Sequence, residues 1–212
     1  MTRRSKKTEP AAMTLTFATP SSTAGVTVKS FIDLSQVASL VNRRFYRQGI
    51  NWAVSGFKVS SLKAGTVTLG KLPTTWVMSN AWEKGFRSWQ RMNDEALAES
   101  ESVKPRFLDF KIYANSDHHA AGFGANLLPI SFVGSGAVAG QWESSKFVIP
   151  RGTDGGAAHG DTVNREIIAV GPNYPGAGAS TFDAVSLIEG YAASRGLPNV
   201  VDPNVPDDAA DA

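Results

Sequence analysis

Hydrophobic residues recur along the chain at two spacings, and the spacing changes with position. Alternating or short continuous runs rich in Val, Ile, Thr and Phe occur at Met13 to Phe17, Val26 to Phe31, Asn51 to Ser60, Thr66 to Leu72, Arg106 to Ala114, Leu127 to Val133, Gln141 to Ile149 and Thr162 to Val170. Each is bounded by Gly, Pro, Asn or Asp, the signature of short strands between turns. Asn51 to Ser60 and Thr66 to Leu72, joined around Lys63-Ala-Gly65, read as a hairpin. A helical step of three and four replaces alternation in two places. Asp33-Leu-Ser-Gln36 has the form of a capping box, and Leu34, Val37, Leu40, Val41 and Phe45 follow until Gly49 supplies a stop. Asn80-Ala-Trp-Glu83 is a second capping box, and Met78, Trp82, Phe86, Trp89, Met92 and Ala96 form one stripe around it. A third helix is expected over Ala184 to Ser194, ended by Gly196 and Pro198. No βαβ alternation or fixed-period repeat is present. These elements predict an all-β fold, an eight-stranded jelly roll (a two-sheet β-sandwich) with two or three short helices in its connections.

Charge divides the chain further. Residues 1–50 hold eight Lys/Arg against Glu9 and Asp33, a balance of +6, whereas Asp202, Asp207, Asp208 and Asp211 give the last twelve residues −4. The expected organisation is a flexible basic arm (1–12), a jelly-roll domain (13–196) and an acidic, Pro/Asp-rich tail (197–212). With no cysteine, disulfides, thiolate catalysis and Cys-based zinc sites are excluded. Neither a secretory leader nor an apolar run long enough to span a bilayer is read, so no membrane partner is expected.

The motifs of catalysis are missing. There is no Gly-x-Ser-x-Gly elbow, since Val133-Gly-Ser-Gly136 lacks its setting, and no phosphate cradle in a strand-loop-helix context. The only histidines, in Ser116-Asp-His-His119 and Ala158-His-Gly-Asp161, lack recognised ligand spacing, and adjacent side chains diverge. The chain is therefore read as a non-enzyme, with no metal and no cofactor. Two groups remain. Trp82, Phe86 and Trp89 at helical spacing make a core face or a subunit contact more readily than a ligand platform. Arg43, Arg44 and Arg47 interleave with Phe45 and Tyr46 as nucleic-acid contacts do, although cations at a helix C-terminus also complement its dipole for about 0.3–1 kcal/mol each. The arm's Arg3, Arg4, Lys6 and Lys7 add a weak, salt-sensitive contribution, because each phosphate contact adds a salt slope of only about 0.7–0.9.

The stretches Asn42-Arg-Arg-Phe-Tyr-Arg-Gln-Gly-Ile-Asn-Trp52, Leu72-Pro-Thr-Thr-Trp-Val-Met-Ser-Asn-Ala-Trp-Glu-Lys-Gly85 and Pro105-Arg-Phe-Leu-Asp-Phe110 give the chain its likeness to known proteins. Over roughly residues 30 to 200 it resembles capsid proteins of small circular, Rep-encoding single-stranded DNA viruses. The resemblance implies a jelly-roll coat protein, located in the virion, that self-assembles into an icosahedral homo-oligomeric shell around a circular single-stranded DNA genome. It departs from that pattern in its arm, which has four basic residues before Glu9 in place of a long arginine-rich segment. Arg43, Arg44 and Arg47 would then share the contact with DNA. The alternative expectation is a non-viral carbohydrate- or ligand-binding β-sandwich.

Overall fold

Two helices whose apolar faces the sequence marks, α1 (Leu34–Asn42) and α2 (Trp76–Ala96), precede all of the sheet in chain order. They are followed by α3 (Ser116–Ala121), a 3-10 turn (Phe123–Ala125), β1 (Lys146–Pro150), β2 (Thr162–Ile168), β3 (Ala184–Ser186) and α4 (Leu187–Arg195) in this computed structural model. It describes residues 14–23, 25–98, 109–130, 137–140, 142–150, 160–175 and 183–195. The expected arm (1–12) and tail (197–212), with Arg3, Arg4, Lys6 and Lys7, lie outside the described residues.

The sheet is mixed. β1 runs antiparallel to β2 in the register Lys146↔Glu166 to Pro150↔Thr162, and β3 runs parallel to β2 from Glu166↔Ala184 to Ile168↔Ser186. Past the first residue of β1, Tyr113 takes over the same edge of β2: its N–H donates to Ile167 O at 2.9 Å and its carbonyl accepts from Ala169 N at 2.8 Å. Alternation along β2 then sends neighbours to opposite faces. Ile167 joins Met78, Ala81, Phe86, Phe110 and Leu187, so α2 and α4 cover one face. Ile168 joins Tyr113 and Phe123 on the other, beside α3.

This overturns the all-β jelly roll. Among the described residues there are four α-helices and one three-stranded sheet. Of the eight alternating runs, only those containing β1 and β2 form ladders; Phe17, Phe31, Tyr113 and Pro129 make isolated bridges. The physical reason is what fills the space on the sheet. In a sandwich the second layer would be another sheet; here the large rings of α2 occupy one face and the Tyr113, Phe123 and His118 rings sit on the other side. The hairpin over 51–72 does not form either. Neither half has regular secondary structure or makes a ladder with another described residue, and their large apolar side chains are exposed.

Local signals also moved. α1 begins as read, with Asp33 Oδ1 accepting from Ser35 N at 2.9 Å and Gln36 N at 3.3 Å. It ends earlier than Gly49, because Arg43 adopts a left-handed conformation (φ 51°) and turns the chain back. Gly49 has φ +84°, and a Cβ there would lie 2.5 Å from the Trp82 ring, so this glycine serves a close approach. α2 starts at Trp76 under a Thr75 cap, which places Asn80 inside the helix. The expected third helix gives its first three residues to β3.

Candidate nucleic-acid interface

Asp33 organises the region in which the sequence placed its basic and aromatic residues. While Oδ1 caps α1, Oδ2 accepts from Gln48 Nε2 at 2.7 Å and from Trp142 Nε1 at 3.1 Å. Gln48 goes further: its Oε1 accepts from Ile112 N at 2.7 Å and its Nε2 also donates to Ile112 O at 3.2 Å. An amide side chain thus supplies the donor and acceptor that a neighbouring strand would have given Ile112. The returning chain is held to α1 by two serines. Ser39 Oγ accepts from Tyr46 N at 2.8 Å, and Ser35 Oγ donates to Arg47 O at 3.2 Å.

Between this turn and residues 139–142 lies a shallow cleft of about 290 Å³, lined in part by Gln36, Arg43, Arg44, Phe45, Lys111 and Trp142. Arg43 and Arg44 are exposed at its rim. Lys111 is different. Its side chain is 4% exposed, sits 2.7 Å from Asp109 Oδ2 and lies 4.2 Å above the Trp142 ring. A cation so enclosed lends the cleft its field more than a direct contact, and Asp109 offsets part of that charge. Two exposed guanidiniums beside two aromatic rings can meet a phosphate and an adjacent base. The carbonyl end of α1 acts against an anion there, and the arginines have to outweigh it.

The other sequence-selected residues go elsewhere. Arg47 is exposed but does not line this cleft, and Tyr46 packs edge-on against Trp52 at 5.6 Å. Trp82, Phe86 and Trp89 face the chain's own core. Trp82 stacks on Phe86 at 5.2 Å, and Phe110 receives Phe86 at 5.6 Å and Trp89 at 5.4 Å.

His118 and His119, expected in a loop, lie on helix α3. Ala114 N donates to His118 Nδ1 at 3.0 Å, which leaves the proton on Nε2 to donate to Asn126 Oδ1 at 2.7 Å. Asn126 Nδ2 in turn donates to Gln36 Oε1 at 3.0 Å, linking α3 to α1 through buried amides. Burial lowers the His118 pKa, opposed by the Asn126 hydrogen bond and by Asp33 and reinforced by His119. A ring with both nitrogens used has no lone pair for a metal. His119 Nε2 lies 2.6 Å from Glu166 Oε2 without hydrogen-bond alignment. The same carboxylate accepts from Ser144 Oγ at 2.5 Å. Tyr113, between these groups, has its pKa raised by burial, with Ser144 lowering it and Glu166 raising it. His159 lies outside the described residues, and among those described no trio of His, Asp or Glu is placed to hold a metal.

Sequence reading missed this polar chain because its members stand far apart: Gln36 and Asn126 are separated by 90 positions. One signal was available. Gln36 sits beside Val37 on the apolar side of α1, where a polar residue needs a partner. Its Nε2 is buried without a hydrogen bond. No described helix is long and apolar enough to cross a membrane. Comparison with family models, curated proteins and solved structures found no match to this chain.

Proposed function

We propose that this chain is a coat subunit that associates with copies of itself into a closed shell and contacts a single-stranded DNA genome. The observation that carries the reading is the segment 50–72. Ile50, Trp52, Val54, Phe57, Val59, Leu62, Val67, Leu69 and Leu72 are all exposed in it, Phe57 at 65% and Val67 at 61%. Scattered exposed apolar residues need no explanation, but nine within 23 consecutive positions are a concentration of the kind that marks an interface. Residues 50–82 contain Lys58, Lys63 and Lys71 and no Asp or Glu, so this surface is also basic.

The proposal draws on surface, not on a jelly-roll body, and a small mixed sheet flanked by helices gives it no architectural support. The likeness of residues 42–52, 72–85 and 105–110 to coat proteins of small single-stranded DNA viruses is consistent with it, as is the cleft bearing Arg43 and Arg44. The cleft offers guanidiniums and aromatic faces without a nucleophile and base in hydrogen-bond reach, which favours binding over catalysis. Sedimentation velocity of the full chain over a range of concentration and salt tests the reading. Concentration-dependent assembly that Phe57→Ser and Val59→Ser weaken is the expected result. A monomer under all conditions would refute it.

A further inference from the structure

We infer that the segment 50–72 is donated to a second copy of this chain, where it adds a strand along the edge of β1 that no described strand pairs. The inference rests on the coat reading and deepens it, because it names the surface through which two copies meet. Three observations lead to it.

The first is the state of the backbone. Over 50–72 the only hydrogen bonds joining the described residues are local, between Ser61 Oγ and Lys63 N and O. A lipid surface or a small apolar ligand would cover the side chains but leave those N–H and C=O groups unpaired once water is excluded. A β edge satisfies both. Alternation runs over Trp52/Val54, over Phe57/Val59 in the opposite phase, and over Val67/Leu69, so each short run offers one apolar side to the acceptor.

The second is the acceptor. Among the described residues β1 is an edge strand, with β2 on one side. Val148 N–H points away from that ladder and meets only a thioether, Met92 Sδ at 3.2 Å, a weak acceptor that a backbone carbonyl would replace with gain. Val148 and Ile149 are exposed at 43% and 48%, so apolar surface flanks the edge. Exposed edge strands of this kind are templates for pairing with another chain.

The third is size and charge. A standard interface uses about 20–30 residues a side, and the segment has 23 positions from Ile50 to Leu72. Its charge is carried by Lys58, Lys63 and Lys71 alone. Charge of both signs lies around the acceptor, with exposed Lys146 on β1 and exposed Arg91 and Glu95 flanking Met92 on α2, so a lysine-bearing strand meets no field of one sign there.

The absence of cysteine makes a clean test possible. Full-length chains carrying Val54→Cys, Val59→Cys or Val67→Cys are each mixed with a chain carrying Val148→Cys and oxidised under assembling conditions. A Val138→Cys chain, altered at a site 83% exposed and outside β1, serves as control. The expected result is a mixed disulfide between the 50–72 and β1 variants that exceeds the control by at least tenfold, together with slowed hydrogen exchange over 50–72 on assembly. Assembly with no preferential disulfide and no protection of 50–72 would overturn the inference and leave the coat reading standing. Failure of the unmodified chain to assemble would overturn both.

Discussion

Gly85 and Gly190 sit on α2 and α4, and replacing each by alanine should move stability in opposite directions. In a helix interior Ala is favoured over Gly by about 0.8–1 kcal/mol, so with nothing else changed both substitutions would stabilise. At Gly190 nothing lies within 4 Å of the added Cβ, and the propensity gain is the whole effect. At Gly85 the added Cβ would fall on Leu187 Cδ2, with Cδ1 at 3.4 Å and Cγ at 3.5 Å. Leu187 is 6% exposed and begins α4 inside the cluster with Ala81, Phe86 and Ile167, so it has little room to yield. Overpacking of that kind costs about 1–3 kcal/mol, which exceeds the propensity gain over most of its range. The net expectation is a loss of up to about 2 kcal/mol for Gly85→Ala. For a chain of 150–250 residues about 1 kcal/mol corresponds to 2–4 °C in Tm. Thermal unfolding at one fixed protein concentration should then place Gly190→Ala about 2–4 °C above the parent and Gly85→Ala several degrees below it. Leu187→Val in the Gly85→Ala background should recover part of the loss. If Gly85→Ala stabilised as much as Gly190→Ala, the close crossing of α2 and α4 would be wrong.

Three further outcomes follow from the same geometry. Phe110→Ala, at a position 1% exposed beneath Trp82, Phe86 and Trp89, should cost about 3–5 kcal/mol by chemical denaturation, a large share of an ordinary domain's stability. His118 has its pKa lowered by burial in the folded chain, so the unfolded state takes up the proton first. Its contribution is present above the ordinary value of 6.5 and is lost as pH falls below it. Stability measured between pH 7.5 and about 5 should fall less in His118→Gln than in the parent, after allowance for a lower starting value. Arg43→Gln with Arg44→Gln should weaken binding of single-stranded DNA oligonucleotides and reduce the log–log salt slope by about 1.4, two contacts at roughly 0.7 each, in fluorescence anisotropy. An unchanged slope would remove the cleft from the DNA interface.

What the sequence disclosed depended on how local its cause was. The stripe of α2 was legible because large rings at helical spacing have few other uses, and the Asp33 cap because its acceptors are two and three residues away. The start of α2 was not, since Asn80-x-x-Glu83 imitates a capping box while the real cap, Thr75, is followed by Trp76 and Val77. β3 is three residues long, too short to carry a period, and it precedes a helix whose pattern absorbed it. The largest error came from alternation itself. A period of two reports an extended backbone with one apolar side, but not what covers that side. Over 162–168 the cover is within the chain; over 146–150 only Phe147 packs on the core, over 50–72 the side chains stand exposed, and a jelly roll counted from such runs was overdrawn. The Gln36–Asn126–His118 chain and the Gln48 clamp on Ile112 are tertiary in origin, so no local pattern announces them.

Negative-stain electron microscopy of the purified full chain, alone and with circular single-stranded DNA, tests self-association into a shell most directly. Closed particles of uniform diameter, dispersed when Phe57 and Val59 are both replaced by serine, are the result this account requires. Fields of single small subunits at every concentration, salt and pH, with and without DNA, would contradict it.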